Sequence, residues 1–329
     1  MTEPNPFSEV QPENAERLLA LVGAVRAAGY DFTTVTPATH AAVNRRPGDA
    51  LARDLRGVLG WSRPFRPDLL PPDLFDLMRA AGAAVPDGEL WRPTLRLSSL
   101  DGELFLHSAF PPLAADAVFF GPDTLRFVRA VRAHLATRTA PLRRVVDIGC
   151  GSGAAGILVA RWAAAPAAPW GRDVEVTLVD INEAALRAAA LNARAARVDR
   201  VVARRSNLLA EVEGDFDLIV SNPPFMIDAA GRAYRDGGGV RGSGLPLAVV
   251  EAATRRLAPG GTLVLFTGTV IVEGRDAFRE AAETLCAGAG LACAYDEVDP
   301  DVYGEELDGP AYADADRIAL AVLTATRPS

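Results

Sequence analysis

Two short stretches hold residues whose types and spacing can do chemistry. The first, Asp147-Ile148-Gly149-Cys150-Gly151-Ser152-Gly153, follows an apolar run and leads into a helical pattern from about Ala154. Glycines let the chain turn sharply and approach a ligand, and the helix behind them presents unpaired N–H groups. Gly151, Gly153 and Gly156 also satisfy the dinucleotide spacing G-x-G-x-x-G, so the glycines alone leave nicotinamide and other nucleotide cofactors open. Asp147 adds a carboxylate inside the turn, where it can organise the loop and water around a cationic amino-acid tail. The second stretch is an apolar run from Phe216 that stops at Asn222-Pro223-Pro224-Phe225. Two prolines continue neither a ladder nor a helix, so they fix a rigid, extended corner with free carbonyls. The Asn222 side-chain carbonyl and the Pro223 main-chain carbonyl are convergent acceptors for both hydrogens of a planar NH2 group, with Phe225 packing on its plane. Such an arrangement suits an amide or exocyclic amine, whose delocalised lone pair must be rehybridised and aimed before it can react.

Two more polar positions end apolar runs. Asp180 closes 176–180 and can accept from both hydroxyls of a ribose, while Asn182 can cap the following helix. Asn207, in Ser206-Asn207-Leu208, can accept from an amino group through its side-chain carbonyl. Ile181 and Leu208 stand beside these two and join the same expected nucleoside site.

The elements that position these residues follow from periodicity. Strand patterns fall at 144–148, 174–180, 201–204, 216–221, 262–267, 291–298 and 318–324, with helical patterns between the first five and another near 276–287. Alternation of this kind requires a parallel sheet covered on both faces. Only an acidic, glycine-bearing loop joins the last two strands, so the seventh is expected to run antiparallel. Ahead of this domain, residues 1–12 hold three prolines and read as a frayed tail. Helices are expected from about 18 to Gly29 and near 38–45, 48–59 and 71–82. Leu95, Leu97, Leu104 and Leu106 alternate around Asp101-Gly102, a hairpin that would make the front segment a helical module with a β-wing. The Ala-Pro stretch 163–169 reads as a surface loop. The expected division is a recognition module at 1–112, a linker with a helix at 113–142, and the cofactor domain at 143–329.

Composition narrows the chemistry further. All 34 basic residues are arginine, which removes lysine Schiff bases and the lysine-bearing phosphate loop. A net charge of −8 disfavours coating a nucleic acid but permits a local basic patch, and Arg45, Arg46, Arg53, Arg56, Arg63 and Arg66 meet only Asp49 and Asp54 within their span. A solvated helix face is the simpler reading of that cluster. The three cysteines suggest neither a disulfide framework nor a metal site. No leader pattern and no run of about 20 apolar residues is present, so a cytoplasmic protein without a membrane span is expected.

The strand, turn and acid at 145–153 resemble motif I of class I S-adenosylmethionine-dependent methyltransferases, and the similarity covers 143–329. The resemblance implies S-adenosylmethionine as cofactor, with Asp147, Gly149, Gly151, Gly153 and Asp180 holding it and Asn207 at the adenine, where the class usually has an acid. Upstream, Val118-Phe119-Phe120-Gly121-Pro122-Asp123-Thr124 is similar to the segment before motif I in the release-factor glutamine methyltransferase family, whose members also carry a helical front module and a hairpin. Phe120 and Thr124 join the cofactor side on that ground. The family has Arg-Pro-Glu-Thr where this chain has Gly-Pro-Asp-Thr, so an arginine role does not carry over. It usually has tyrosine after Asn-Pro-Pro; phenylalanine is more like the small-domain methyltransferases of ribosomal RNA guanine or adenine. Residues 235–244 resemble the family's glycine-bearing loop beside the substrate, and a merely flexible loop is an equal reading.

The implied fold is a Rossmann-like α/β methyltransferase with a seven-stranded, mostly parallel sheet behind a winged-helix-like module. The implied activity is methyl transfer to a planar nitrogen of a macromolecule. Protein glutamine is favoured over a ribosomal RNA or DNA base, because residues 296–316 hold nine acids and no base at the active edge and would repel a polyanion. A ribosomal RNA substrate would instead use the 45–66 arginines as its phosphate anchor. A nicotinamide oxidoreductase and a non-catalytic S-adenosylmethionine-binding regulator are the readings from other classes. Since every expected cofactor residue lies after 110, residues 1–110 are expected to serve the substrate and to be dispensable for cofactor binding.

Overall fold

The computed structural model describes residues 5–165, 168–171, 173–228, 231–232 and 234–329. Residues 1–4 of the expected tail and 166 and 167 of the Ala-Pro stretch lie outside that description.

The front segment begins with α1 (Pro12–Ala27), which has proline in its first turn and buries Leu18, Leu21, Val22 and Val25 on one face. α2 (Pro37–Asn44) is capped by Thr36, whose hydroxyl accepts from the Thr39 N–H. Of the helix expected at 48–59 only the last turn forms, as α3 (Leu55–Leu59): Gly48 has a φ of 83°, and Asp54 caps the turn by accepting from the Gly57 N–H at 2.7 Å. α4 (Pro72–Ala80) buries Phe75 and Met78.

Two hairpins follow. β1 (Ala84–Asp87) and β2 (Leu90–Pro93) were not legible, since Pro86 and Pro93 argue against strands. β3 (Leu95–Leu100) and β4 (Glu103–Ser108) turn at Asp101-Gly102, both with positive φ as a two-residue hairpin requires. The wing expectation is corrected here, because every residue of β4 is buried. Glu103 in it is ion-paired with Arg26 at 2.7 Å and Arg161 at 2.8 Å. A wing needs a solvent face, and this hairpin is a wedge between layers. The tail is corrected as well: Phe7 is fully buried, and the Arg187 guanidinium donates to the carbonyls of Phe7 and Ser8.

α5 (Pro122–Thr137) leads into the sheet. β5 (Arg144–Ile148), α6 (Ala154–Ala163), β6 (Glu175–Asp180), α7 (Glu183–Ala195), β7 (Val201–Arg205), β8 (Phe216–Ser221), α8 (Gly244–Arg256) and β9 (Leu257–Val272) alternate as the periodicity requires. A two-residue β10 (Arg275–Asp276), α9 (Ala277–Gly288), β11 (Ala292–Val302) and β12 (Arg317–Thr326) complete the chain. The strand order is β11-β12-β9-β8-β5-β6-β7, with β10 folded back on β9, so the sheet has eight strands rather than the expected seven. β5 to β9 pair in parallel, and β12 runs antiparallel to both β9 and β11. No helix among the described residues is long and apolar enough to cross a membrane. No cluster of three or more potential metal-ligating side chains occurs among them.

The front segment and the sheet interlock. Ala184, Ala185, Ala188 and Leu191 of α7 pack into the front module's core, while Phe105 of β4 belongs to the core on the other side. The clasp is Asn192, fully buried on α7: its Oδ1 accepts from the Leu106 N–H at 2.8 Å, and its Nδ2 donates to the carbonyls of Leu106 at 3.0 Å and Ser152 at 2.9 Å. Ser152 sits in the glycine turn, so one amide ties the front hairpin to the site. Deleting residues 1–110 is therefore expected to abolish cooperative thermal unfolding; a truncated protein that melts cooperatively would show the front segment to be separable. Asn192→Ala is expected to cost about 1–3 kcal/mol for each main-chain group left unpaired. An unchanged denaturant midpoint would contradict this.

Candidate active site

Parallel strands of an open sheet leave a crevice beyond their carboxyl ends, and the expected site residues arrive there from separate strand ends. Asp147, Gly149 and Gly151 at the end of β5 and just beyond it, Asp180 and Ile181 at the end of β6, Asn207 and Leu208 after β7, and Asn222, Pro223 and Pro224 after β8 line one cleft, joined by Thr124 from α5. Gly149 and Gly151 adopt φ of 67° and 53°, the left-handed region that glycine enters without strain.

The electrostatics of the cleft rest on two carboxylates. Asp147 is buried, and its Oδ2 accepts from the Gly156 N–H at 2.9 Å in the first turn of α6. Asp180 accepts from the Gly151 N–H at 3.0 Å and the Asn182 N–H at 2.9 Å, holding the turn closed from the neighbouring strand. Neither acid has a cationic side-chain partner among the described residues. Burial pushes the Asp147 carboxyl up to about 7, the Gly156 N–H opposes the rise, and the Asp180 charge adds to it. Asp180 is also raised by burial, against the N–H groups it accepts from. The site is thus short of positive charge. Asp147 takes one first-turn N–H of α6, and two carboxylates without a cationic partner among the described residues make the cleft suit a cationic ligand over an anionic one.

At the Asn-Pro-Pro-Phe corner, Ser221 Oγ donates to the Ile148 carbonyl at 2.8 Å and locks β8 to β5. Beside it, the Asn222 Oδ1 is buried and has no hydrogen-bond partner among the described residues. The loop after the corner is not merely flexible. Its Gly237 N–H donates to the Met226 carbonyl at 2.8 Å, and a Cβ at Gly237 would lie 2.6 Å from the Pro224 carbonyl oxygen. A Cβ at Gly242 would lie 2.1 Å from that of Phe225, so both glycines press against the corner's backbone.

Three expected site residues are placed elsewhere. Gly153 begins α6, and a Cβ there would meet Ile157, Ala189 and Leu178 at 2.9–3.1 Å, so its role is packing. Phe120 is buried, its ring stacked on His107 at 5.1 Å and Phe105 at 5.8 Å. Phe225 turns its ring against Gly268 of β9, where a Cβ would come within 2.4 Å of it, so it does not offer a face to a substrate. Two residues that motif reading missed do line the cleft, Phe119 and Tyr234, their rings stacked at 5.8 Å and 11°. Gly121 makes room for Phe119, since a Cβ there would meet its ring at 2.5 Å. Alternation along Val118-Phe119-Phe120 implies that the two phenylalanines face opposite sides but does not say which faces the ligand.

The acidic segment 296–316 also differs from expectation. Glu297 pairs with Arg317 at 2.9 Å, Asp299 with Arg126 at 3.3 Å, Asp314 with Arg241 at 2.5 Å, and Glu306 with Arg235. Since β11 runs in the direction of β9, this segment does leave at the cleft edge, with four of its nine acids ion-paired within the chain.

Residues 129–274 match the family described as Methyltransferase small domain, and this stretch is a class I S-adenosylmethionine-dependent methyltransferase domain. The release factor glutamine methyltransferase of Deinococcus radiodurans is 35% identical over 174 residues, 50% of this chain and 55% of that protein. The 4-amino-L-phenylalanine/4-methylamino-L-phenylalanine methyltransferase of Streptomyces pristinaespiralis is 32% identical over 163 residues, covering 45% of this chain and 52% of that one. The tRNA1(Val) (adenine(37)-N6)-methyltransferase of Aeromonas hydrophila is 32% identical over 140 residues, 40% of this chain and 54% of that one. The chain spans about half the length of these relatives.

S-adenosylmethionine, the cofactor of this class, carries a sulfonium and an ammonium, and two carboxylates without counter-cations fit it. Because burial raises Asp147, the folded protein keeps a proton there that the unfolded chain releases near 3.8, and fold stability falls as pH rises from about 4 to about 7. A cationic cofactor binds the deprotonated form. Its affinity is therefore expected to rise from about pH 6 to about pH 8 with proton release in calorimetry, and Asp147→Asn to flatten the rise; an affinity independent of pH in the parent would contradict this. Asp180→Ala is expected to weaken cofactor binding by roughly 1–3 kcal/mol, and equal affinity would remove Asp180 from the cofactor site.

Proposed function

We propose that the protein transfers a methyl group from S-adenosylmethionine to a planar nitrogen, an amide or exocyclic amine, presented by a macromolecule. The observation that carries this reading is the buried, unpartnered Asn222 Oδ1 at the cleft corner. A buried acceptor left unpaired costs about 1–3 kcal/mol, a cost that an incoming N–H donor removes. The names of the three relatives support the nitrogen class: they specify a glutamine, the amino group of 4-amino-L-phenylalanine and the N6 of adenine, and the first and third place it on a release factor and a tRNA.

When bound, the cofactor supplies an electrophilic methyl group on a sulfonium. Asp147 and Asp180 hold the glycine turn and supply the negative field that favours a cation, with Asp180 and Asn207 placed for ribose and adenine. Asn222 Oδ1 and the Pro223 carbonyl accept the two N–H bonds of the substrate amine. As these bonds become more polar in the transition state, the acceptors stabilise the charge that develops and orient the lone pair. Phe119 and Tyr234 take the place expected of Phe225 in offering a flat apolar surface beside the amine.

Protein glutamine was favoured over a nucleobase because an acidic segment would repel a polyanion. The ion pairs of Glu297, Asp299, Glu306 and Asp314, four of the nine acids, weaken that reason, and the arginines of 45–66 add a phosphate-binding face. The exocyclic amine of a nucleobase then becomes the better-supported substrate, with glutamine second.

Asn222→Ala is expected to slow methyl transfer by about a hundred- to a thousand-fold while leaving cofactor affinity nearly unchanged. Single-turnover rates with labelled cofactor and equilibrium binding separate the two. Near-parental turnover with weakened cofactor binding would make the corner part of the cofactor site and remove the planar-nitrogen assignment.

A further inference from the structure

We infer that Arg45, Arg46, Arg53, Arg56 and Arg66, carried around α2 and α3, form a phosphodiester-binding face that holds the backbone of a single-stranded or looped nucleic acid while one of its bases enters the cleft. The inference rests on the methyl-transfer reading above and adds the class of macromolecule and its docking surface.

Six arginines occur in this span, and the structure separates one of them from the rest. Arg63 is buried; its Nε donates to Asn44 Oδ1 at 2.8 Å, its Nη1 pairs with Asp49 at 3.2 Å, and its guanidinium lies 5.5 Å from the Trp61 ring centre. It holds the segment in shape. The other five are exposed, and none pairs with a carboxylate among the described residues. Both acids within the span are already engaged, Asp49 by Arg63 and Asp54 in capping α3. Arg53, which donates to the Gly48 carbonyl at 2.6 Å, and Arg66 line one open groove with Ala52 and Leu69. Other exposed arginines have acids to hand, among them Arg255, Arg275 and Arg279, and those without an ion pair, such as Arg129 and Arg143, are not gathered five to one segment. The five here carry uncompensated charge on one short segment, and guanidinium groups match phosphate geometry with paired donors.

The segment also stands beside the cleft. Ser62 Oγ accepts from the Phe110 N–H at 3.0 Å, and the Phe110 ring packs on His40 of α2 at 4.3 Å. Two residues on, the Pro112 carbonyl accepts from the hydroxyl of Tyr234, which lines the cleft, at 3.2 Å. Two residues span at most about 7 Å, so the arginine segment borders the cleft's lip. A base whose amine reaches Asn222 must be out of its stack, as in a loop or single strand. Its neighbours' phosphates then run over the lip toward the arginines.

Anisotropy of labelled 20-nucleotide single-stranded RNA and DNA of one mixed sequence, bound by the full chain across a salt series, tests this. The parent is expected to bind with log K falling against log salt at about −0.7 per phosphate contacted, near −3 for most of the five arginines engaged. RNA and DNA are distinguished by which binds tighter, and either supports a phosphodiester face. Changing all five arginines to Gln is expected to weaken binding more than tenfold at about 100 mM salt and to flatten the slope, with cofactor affinity unchanged. Changing Arg17, Arg79, Arg255, Arg275 and Arg279 to Gln is expected to leave both. If the fivefold variant loses cofactor binding, Arg45→Gln with Arg46→Gln replaces it, with a slope change of about 1.4. A parent that binds neither oligonucleotide, a fivefold variant with the parental slope, or poly-glutamate bound more tightly than RNA through the same arginines overturns the inference. None of these outcomes alters the effect of Asn222→Ala on transfer, so the two readings fail separately.

Discussion

Two carboxylates, Asp147 buried and Asp180 half-buried, held by main-chain N–H groups, are the constraint around which the cleft is built. Asp147 and Asp180 sit on adjacent parallel strands, one holding the first turn of α6 and the other the glycine turn before it. With no cationic side chain to meet them among the described residues, both resist ionisation in the fold. A cation delivered to the cleft offsets that cost, whereas an anion would meet two carboxylates. The preference for a cationic nucleoside over a dinucleotide therefore lies in what the acids do to the turn, since the glycines serve either ligand.

The remaining architecture keeps that turn and the Asn-Pro-Pro-Phe corner in fixed relation. Ser221 joins their two strands, Gly237 and Gly242 brace the corner from behind, and Asn192 ties the turn to the buried hairpin of the front segment. The front segment is thus a buttress of the site as well as the carrier of an arginine face. The front segment and α7 share one packed core, and Asn192 of α7 reaches from it to the glycine turn.

Local patterns made much of this legible. Strand periodicity located all seven main strands, the acidic loop before the last strand implied its antiparallel course, and Asp101-Gly102 gave the hairpin turn. The residues lost to sequence reading depend on choices made by distant partners. Phe119 and Phe120 differ only in which side of an extended segment meets the cleft, and Phe225 turns away because Gly268, forty-three positions on, leaves a hollow for its ring. The hairpin is a wedge because α1 and α6 supply arginines to Glu103. The charge of segment 296–316 was misjudged for the same reason, since its partners lie in α5, in the loop after the corner and at the start of β12.

The central claim is that the corner holds a planar nitrogen. Its most direct measurement is to incubate the purified protein with methyl-labelled S-adenosylmethionine and a cell extract, digest the labelled fraction with ribonuclease, deoxyribonuclease or protease, and identify the methylated unit by mass spectrometry. The expected result is a methyl group on an exocyclic nucleobase amine, or on a glutamine side-chain amide if the substrate is protein. A methyl group on carbon, on oxygen or on the saturated amine of a lysine would contradict the account.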